Sequence, residues 1–121
     1  MKEKSKKDLP FLDHILDSIN AIENFLKDSN KQEFLRSRLK QSAVVREIEV
    51  IGEAVKNISN ELKNIHKEIK WKDIAGTRDK MIHHYFGVDL DIVWNIVTLD
   101  LPNLKTEILA IKKEISLKVK D

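Results

Sequence analysis

Residues 43–58 read AVVREIEVIGEAVKNI, and the spacing of the apolar side chains in this stretch predicts an amphipathic helix. These side chains recur at alternating intervals of four and three residues: Val44, Ile48, Ile51, Val55 and Ile58. They form a heptad-like seam suited to packing on a neighbouring helix. Gly52 interrupts the segment at a cost of about 1 kcal/mol relative to alanine. It indicates either the close approach of another backbone or simple tolerance.

The segment before this helix predicts a solvated tail followed by another amphipathic helix. Residues 1–7 are basic and lack a run of apolar side chains, which favours a flexible tail. Asp8 can cap a helix with Pro10 at its second position, where a missing N–H does no harm. Apolar residues then recur at helical spacing as far as Leu26. We expect a single helical domain over residues 8–121.

Polar residues mark where the second helical region should begin. Asn30 and Glu33 resemble a capping box, in which the side chain of the first residue accepts a hydrogen bond from the backbone N–H of the second. We expect this region to extend to about Ser59, with a bend near Lys40.

The C-terminal half predicts two further helices. The third should begin at Trp71 and end at Gly87. The fourth should be capped by Asp89, with Pro102 kinking or splitting it and Asp100 capping its second part. The predicted fold class is all-α: an antiparallel four-helix-type bundle with short additional helices.

Composition narrows the class of protein. The 121 residues suffice for one core, and Gly (3) and Pro (2) are too scarce for a turn-rich β fold. Cysteine is absent, which excludes disulfides and thiolate metal sites and is compatible with the cytoplasm. No apolar run has the roughly 18 residues of a membrane span. A net charge of +2 is too small to indicate nucleic-acid binding by itself.

A charged stripe lies beside the apolar seam of residues 43–58. It comprises Arg46, Glu49, Glu53 and Lys56. One interpretation is a solvated face with weak local ion pairs. The other is that Glu53 supports a functional segment or contacts a partner.

That functional segment is the octad of residues 78–85, RDKMIHHY. Arg78 is always charged and can hold two phosphate oxygens at once, and His83 can accept and return a proton near neutral pH. Internal RNA cleavage needs a deprotonated 2′-hydroxyl, a stabilised phosphorane and a protonated 5′-oxygen. Histidine suits the first and third tasks, and arginine the second. No metal or other cofactor is required, and the adjacent His83 and His84 cannot easily share one ion.

On a regular helix, Arg78 and His83 would lie roughly 140° apart around the axis. Either the helix unwinds before Gly87, or two chains assemble the site, which favours a homodimer. Structural roles remain open: Arg-x4-His-x-Tyr occurs by chance in many helices, and Tyr85 could be an interface aromatic.

The flanking segments make the pattern far more specific. They read AVVREIEVIGEAVK at residues 43–56, WKDIAGTRDK at 71–80 and HHYFGVD at 83–89, followed by Val93 and Trp94. Together they resemble the HepT-type toxins of the HEPN superfamily over roughly residues 10 to 115. The resemblance implies a homodimeric all-α bundle and a metal-independent ribonuclease of a prokaryotic, type VII-like toxin–antitoxin system.

The resemblance also implies residue roles and partners. Arg78 and His83 match the catalytic pair, which meets its copy at the dimer cleft. Asp79 matches a position that is often polar, and an orienting role for its side chain is our hypothesis. Tyr85 matches the tyrosine that an MntA-type nucleotidyltransferase antitoxin modifies with AMP from ATP, which would block the phosphate site. The alternative is a non-catalytic nucleotide- or substrate-binding subunit of a two-chain nucleotidyltransferase, because fold does not fix function.

Overall fold

A computed structural model describes residues 6–83 and 87–120 of the chain. The helices are α1 (Leu9–Phe25), α2 (Lys31–Arg36), α3 (Arg38–Lys56), α4 (Asn60–Ile65), α5 (Trp71–Ala75), α6 (Thr77–Met81), α7 (Leu90–Asn95) and α8 (Leu101–Lys120), with a π-helical segment, Ile96–Asp100, between α7 and α8. Two short strands, β1 (Ile82–His83) and β2 (Gly87–Val88), pair in an antiparallel hairpin. The predicted all-α class is confirmed.

Polar contacts among the long helices α1, α3 and α8 show the direction in which each helix runs relative to the others. Asp8, before α1, binds Ser59, just after α3, while Ser29 after α1 binds Lys40 near the start of α3. These two helices therefore run antiparallel. The carboxylate of Glu23 in α1 binds Lys105 Nζ at 2.8 Å, and Asp13 binds Lys112, so α8 also runs antiparallel to α1.

The apolar seam of α3 forms the centre of the core. Its five residues are all at most 3% exposed, as the spacing predicts: Val44, Ile48, Ile51, Val55 and Ile58. Matching apolar faces of α1 and α8 complete the core, with Leu12, Ile15, Ile108 and Ile111 among the most deeply buried residues. The burial of these faces is the main stabilising contribution to the fold.

The cap predicted at Asn30 is confirmed, because its side-chain oxygen accepts a hydrogen bond from Glu33 N at 2.9 Å. The predicted bend near Lys40 lies three residues earlier. Ser37 adopts an extended conformation (φ −109°, ψ 99°), ends α2 and caps α3 by accepting from Lys40 N. The helix that follows ends at Lys56, short of the predicted Ser59.

The predicted capping role of Asp8 for α1 is wrong. Asp8 precedes α1 in a helical conformation (φ −83°, ψ −17°), a geometry in which its side chain makes no cap hydrogen bond. Its carboxylate is 1% exposed and instead accepts hydrogen bonds from Ser59 N (2.8 Å) and Ser59 Oγ (2.7 Å). Ser59 Oγ in turn accepts from Leu62 N and caps α4. Asp8 thus joins the start of α1 to the start of α4.

Replacing Asp8 with alanine is expected to lower the free energy of unfolding by about 1–3 kcal/mol, since it leaves the part-buried Ser59 N–H and hydroxyl without their acceptor. Urea denaturation followed by circular dichroism measures the change. Asp17, on the exposed face of α1, provides the control, and Asp17→Ala should change stability by less than about 0.5 kcal/mol. Equal effects of the two substitutions would contradict the linking role of Asp8.

The third predicted helix is divided into α5 and α6, and it ends at Met81 rather than at Gly87. Met81 is fully buried, and the next residue, Ile82, turns to an extended conformation (φ −103°, ψ 117°). Gly87 lies in the hairpin with a positive φ of 75°. The burial of Met81 and the strand pairing together override the helical pattern.

The helical path continues from α7 through the π-helical segment into α8, so Pro102 does not split the last helix and Asp100 does not cap a second part. Leu101 keeps helical angles (φ −67°, ψ −38°), and its N–H donates to Ile96 O, five residues earlier. A wide π turn of this kind accommodates the local backbone without breaking the helical path. None of the described helices is long and apolar enough to cross a membrane.

Candidate active site

Arg78 lies in the first turn of α6, with its side chain 66% exposed. Its Nε is 3.0 Å from Glu49 Oε2, and Glu49 belongs to the middle of α3 and is 28% exposed. This ion pair connects α6 to α3. It also holds the guanidinium beside the surface of α3, where a second anion can reach it from solvent.

The C-terminal end of α5 lies against α3 at Gly52. A Cβ at this position would lie 3.4 Å from Ala75 O and 3.6 Å from Ile74 O, both at the end of α5. Another backbone does lie beside this glycine, at distances of ordinary van der Waals contact that would also admit an alanine. This packing brings the start of α6, and with it Arg78, next to the charged stripe of α3.

A small cleft of about 190 Å³ opens where α3, α5 and α6 meet. We call it the Arg78 cleft; its charged lining residues are Arg46, Glu49, Glu53, Lys56 and Arg78. Three cations and two carboxylates give it a formal charge of +1. The cleft can bind an anion that displaces a carboxylate from Arg78.

Glu53 and Glu49 occupy different positions in this cleft. Glu53 Oε1 lies 3.2 Å from Lys56 Nζ, three residues away on the same helix. Glu49, four residues before Glu53, is the carboxylate that reaches Arg78. Sequence reasoning placed Glu49 in the charged stripe but overlooked this contact. Its one available signal was the i, i+4 spacing, which puts both glutamates on one face of α3. A supporting role of Glu53 stays a prediction.

The octad continues from α6 into the hairpin. Ile82 pairs with Val88 and His83 with Gly87, and Asp89 N–H donates to Met81 O at 2.7 Å. The helix thus unwinds before Gly87. This is one of the two arrangements that we expected because Arg78 and His83 would lie roughly 140° apart on a regular helix. The other, assembly by two chains, stays a prediction. The side chain of His83, and Tyr85 with its neighbour His84, lie outside the described residues.

The hairpin depends on Gly87, because a φ of 75° is unfavourable for residues with a Cβ. Gly87→Ala is expected to lower the free energy of unfolding by about 1–2 kcal/mol and to reduce any activity that needs His83. Thermal melts and activity assays measure the two effects. Gly76→Ala is the control, since φ there is −91°. A Gly87 variant no weaker than the Gly76 variant would argue against this role.

Asp79 follows Arg78 in the first turn of α6 and is exposed. Its backbone N–H donates to Gly76 O at 3.1 Å. The orienting role expected for its carboxylate stays a prediction.

The two tryptophans are structural anchors. Trp71 is 7% exposed, and its indole N–H donates to His66 O at 3.0 Å. The Trp94 ring packs on Phe34, with ring centroids 5.4 Å apart. The Trp71 ring is too buried to stack on a ligand.

A larger cavity of about 440 Å³ lies between α5, α6 and α8, away from Arg78. Burial, and secondarily the negative charge of Glu68, raise the pKa of Glu107 on its wall. Within the described residues, no group of three or more His, Cys, Asp or Glu is arranged to hold a metal ion.

Comparison with known proteins identifies relatives across most of the chain. Residues 15–111 match the family described as "Ribonuclease HepT-like". A "Probable ribonuclease HepT" from Thermococcus cleftensis is 42% identical over 111 residues, covering 92% of this chain and 99% of that protein. A "Gamma-glutamylcyclotransferase and putative RNase" from Methanocaldococcus jannaschii is 47% identical over 105 residues, covering 87% of this chain. The chain spans 47% of that second relative's length. No solved structure matches the chain.

Proposed function

Because the chain belongs to the HepT-like ribonuclease family, we propose that it is an endoribonuclease that cleaves RNA with the 2′-hydroxyl and without a metal ion. The observation that carries the proposal is the Arg78 cleft. There a solvent-accessible guanidinium, in the first turn of α6, lies five residues before His83, which follows α6 in the hairpin. The residue types present match the tasks of the reaction.

In the proposed reaction, His83 takes the proton from the 2′-hydroxyl, and the resulting oxygen attacks the adjacent phosphorus. Arg78 binds two oxygens of the phosphorane and stabilises its charge. The bond from phosphorus to the 5′-oxygen then breaks, and a histidine returns a proton to the leaving oxygen. The products are a 2′,3′-cyclic phosphate and a 5′-hydroxyl.

In the absence of RNA, the Glu49 carboxylate forms an ion pair with the Arg78 guanidinium. An exposed ion pair of this type stabilises a protein by only about 0–1 kcal/mol. A phosphate that accepts two hydrogen bonds from the guanidinium can therefore replace the Glu49 carboxylate. We propose that Glu49 keeps Arg78 in position until the phosphate arrives.

Two copies of the chain complete the proposed enzyme. One histidine must act first as a base and another group must supply a proton, and a symmetric dimer would bring a second His83 to the site. Analytical ultracentrifugation of the purified chain tests the dimer.

The test of the ribonuclease proposal is the cleavage of RNA by the purified protein in the presence of a chelator. The proposal expects fragments that end in 2′,3′-cyclic phosphates. Growth arrest on expression of the chain alone separates a toxin from the non-catalytic subunit. The subunit alternative predicts neither cleavage nor arrest.

We also propose that the protein acts in the cytoplasm as a toxin, held inactive by an MntA-type nucleotidyltransferase. Tyr85 lies two residues after His83 in the sequence, so an adenylate on its hydroxyl would carry a negative charge and bulk into the region of the site.

A further inference from the structure

A second, broader concave surface lies next to the Arg78 cleft, on the side of α4 and α5. It is a groove of about 660 Å³, open to solvent, and we call it the lysine groove. Five lysines line it: Lys56, Lys63, Lys67, Lys70 and Lys72. The family resemblance and the catalytic proposal leave this surface without a role.

The charge of the groove is strongly one-sided. Five lysines and a single carboxylate, Asp73, give it a formal charge of +4. The whole chain carries only +2, so the remainder of the protein is net negative. The weak overall charge therefore conceals a local concentration of positive charge, which can attract and orient a polyanion.

Most of these ammonium groups are available to a ligand. Within the described residues, Lys56 binds Glu53, whereas Lys63, Lys67, Lys70 and Lys72 make no ion pair with a carboxylate. Lys63 is half-buried and the other three are exposed. Lysines kept close together without acidic partners repel one another, and bound phosphates would relieve this repulsion.

The floor of the groove is rigid and apolar. Ile69 and Trp71 are 4% and 7% exposed, and the hydrogen bond from the Trp71 indole to His66 O fixes the ring. A ring this buried cannot stack on a base. The groove therefore suits the phosphates of a nucleic acid rather than its bases, and binding should depend little on sequence.

The groove also leads to the catalytic residue. Lys56 and Ala75 line both the lysine groove and the Arg78 cleft, so the two surfaces are continuous. We propose that the lysine groove binds the backbone of single-stranded RNA and guides it to Arg78. This inference rests on the proposed ribonuclease function and deepens it by assigning a binding surface for the substrate.

The test measures binding apart from cleavage. The probe is a fluorescent, mixed-sequence 2′-O-methyl oligoribonucleotide, which lacks the attacking hydroxyl. Its affinity for the full chain is measured by fluorescence anisotropy as a function of salt. The variant K63Q/K67Q/K72Q should bind at least tenfold more weakly. The slope of log affinity against log salt is negative, and its magnitude should fall by about 2, because each lost phosphate contact on a single strand contributes about 0.7.

A charge-matched control removes three lysines that lie outside both surfaces. Lys7, Lys27 and Lys113 are exposed, and K7Q/K27Q/K113Q should bind within about twofold of wild type. Circular dichroism verifies that each variant folds. If the triple variant unfolds, the double variant K67Q/K72Q replaces it. Its expected change in the slope is smaller, about 1.4.

Equal binding by the groove variant and the control variant would overturn the lysine groove as the RNA surface. A second outcome would also overturn the RNA proposal. If the wild-type protein binds poly-L-glutamate through these lysines but does not bind RNA, the groove is a site for an acidic polypeptide. Cleavage of ordinary RNA by the same preparations separates the two proposals. If the groove variant still cleaves RNA at the wild-type rate, the ribonuclease proposal stands and the groove proposal fails. If RNA binding depends on the lysines but no RNA is cleaved, the groove proposal stands and the ribonuclease proposal fails.

Discussion

Arg78→Ala is expected to slow RNA cleavage by about 10²–10³-fold, the usual effect of removing one group that stabilises developing negative charge. The substitution removes the group proposed to bind the phosphorane. It also leaves Glu49 in the cleft without its partner 3.0 Å away, which makes the site more negative and repels phosphate. His83→Ala should cost about 10²–10⁴-fold, because it removes the proposed proton acceptor and donor.

Gel analysis of a labelled RNA under single-turnover conditions measures both effects. Arg38→Ala and His14→Ala are matched controls, since both side chains are exposed and lie on α3 and α1 outside the Arg78 cleft. The double variant should be little worse than the more damaged single variant, because residues that act in one step are strongly non-additive. Cleavage by Arg78→Ala or His83→Ala at the rate of its control would refute the proposed roles.

Arg78→Lys discriminates between charge and geometry at this position. Lysine retains the positive charge but cannot hold two phosphate oxygens in the planar fork of a guanidinium. We expect activity between those of Arg78→Ala and wild type. Activity equal to wild type would show that a point charge suffices and that the bidentate contact is dispensable.

The helices and core were predictable because one-sided burial leaves a periodic pattern in the sequence. The seam from Val44 to Ile58 is buried as expected, and the Asn30 cap forms through a local hydrogen bond. Asp8 was mispredicted for a physical reason. Its partner, Ser59, lies 51 residues away along the chain, and a short-range rule for helix caps cannot detect such a contact.

The surroundings of the site were less predictable than its residue types. A helix was expected through residues 78–85, yet it ends at Met81, whose side chain is drawn into the core. The contact between Glu49 and Arg78 depends on how closely α5 approaches α3 at Gly52. Four of the five lysines of the lysine groove lie within residues 63–72, so the sequence shows a lysine-rich segment but not that this segment forms a groove beside Lys56 of α3.

Modification of Tyr85 with AMP is expected to inhibit RNA cleavage strongly. In the proposed step, the Tyr85 hydroxyl oxygen attacks the α-phosphorus of ATP, the bond to the β-phosphate oxygen breaks, pyrophosphate leaves and the phenolic proton passes to solvent. The attached phosphate would then compete for Arg78 as a tethered ligand. A ligand tethered covalently near its site typically has an effective concentration of about millimolar. Against RNA at micromolar concentration, we expect inhibition of roughly 10²–10³-fold.

The measurement combines a cleavage assay with mass spectrometry after incubation with an MntA-type nucleotidyltransferase and ATP. Tyr85→Phe lacks only the acceptor oxygen, so it should keep cleaving RNA and remain active after the same incubation. Incubation without ATP separates covalent modification from simple capture by the partner, because only capture would inhibit there. AMP found on another residue, or inhibition of Tyr85→Phe equal to that of wild type, would contradict the role of Tyr85.

If the attached phosphate acts through Arg78, modified protein should also bind the 2′-O-methyl probe more weakly than unmodified protein, and Arg78→Ala should lose most of that difference.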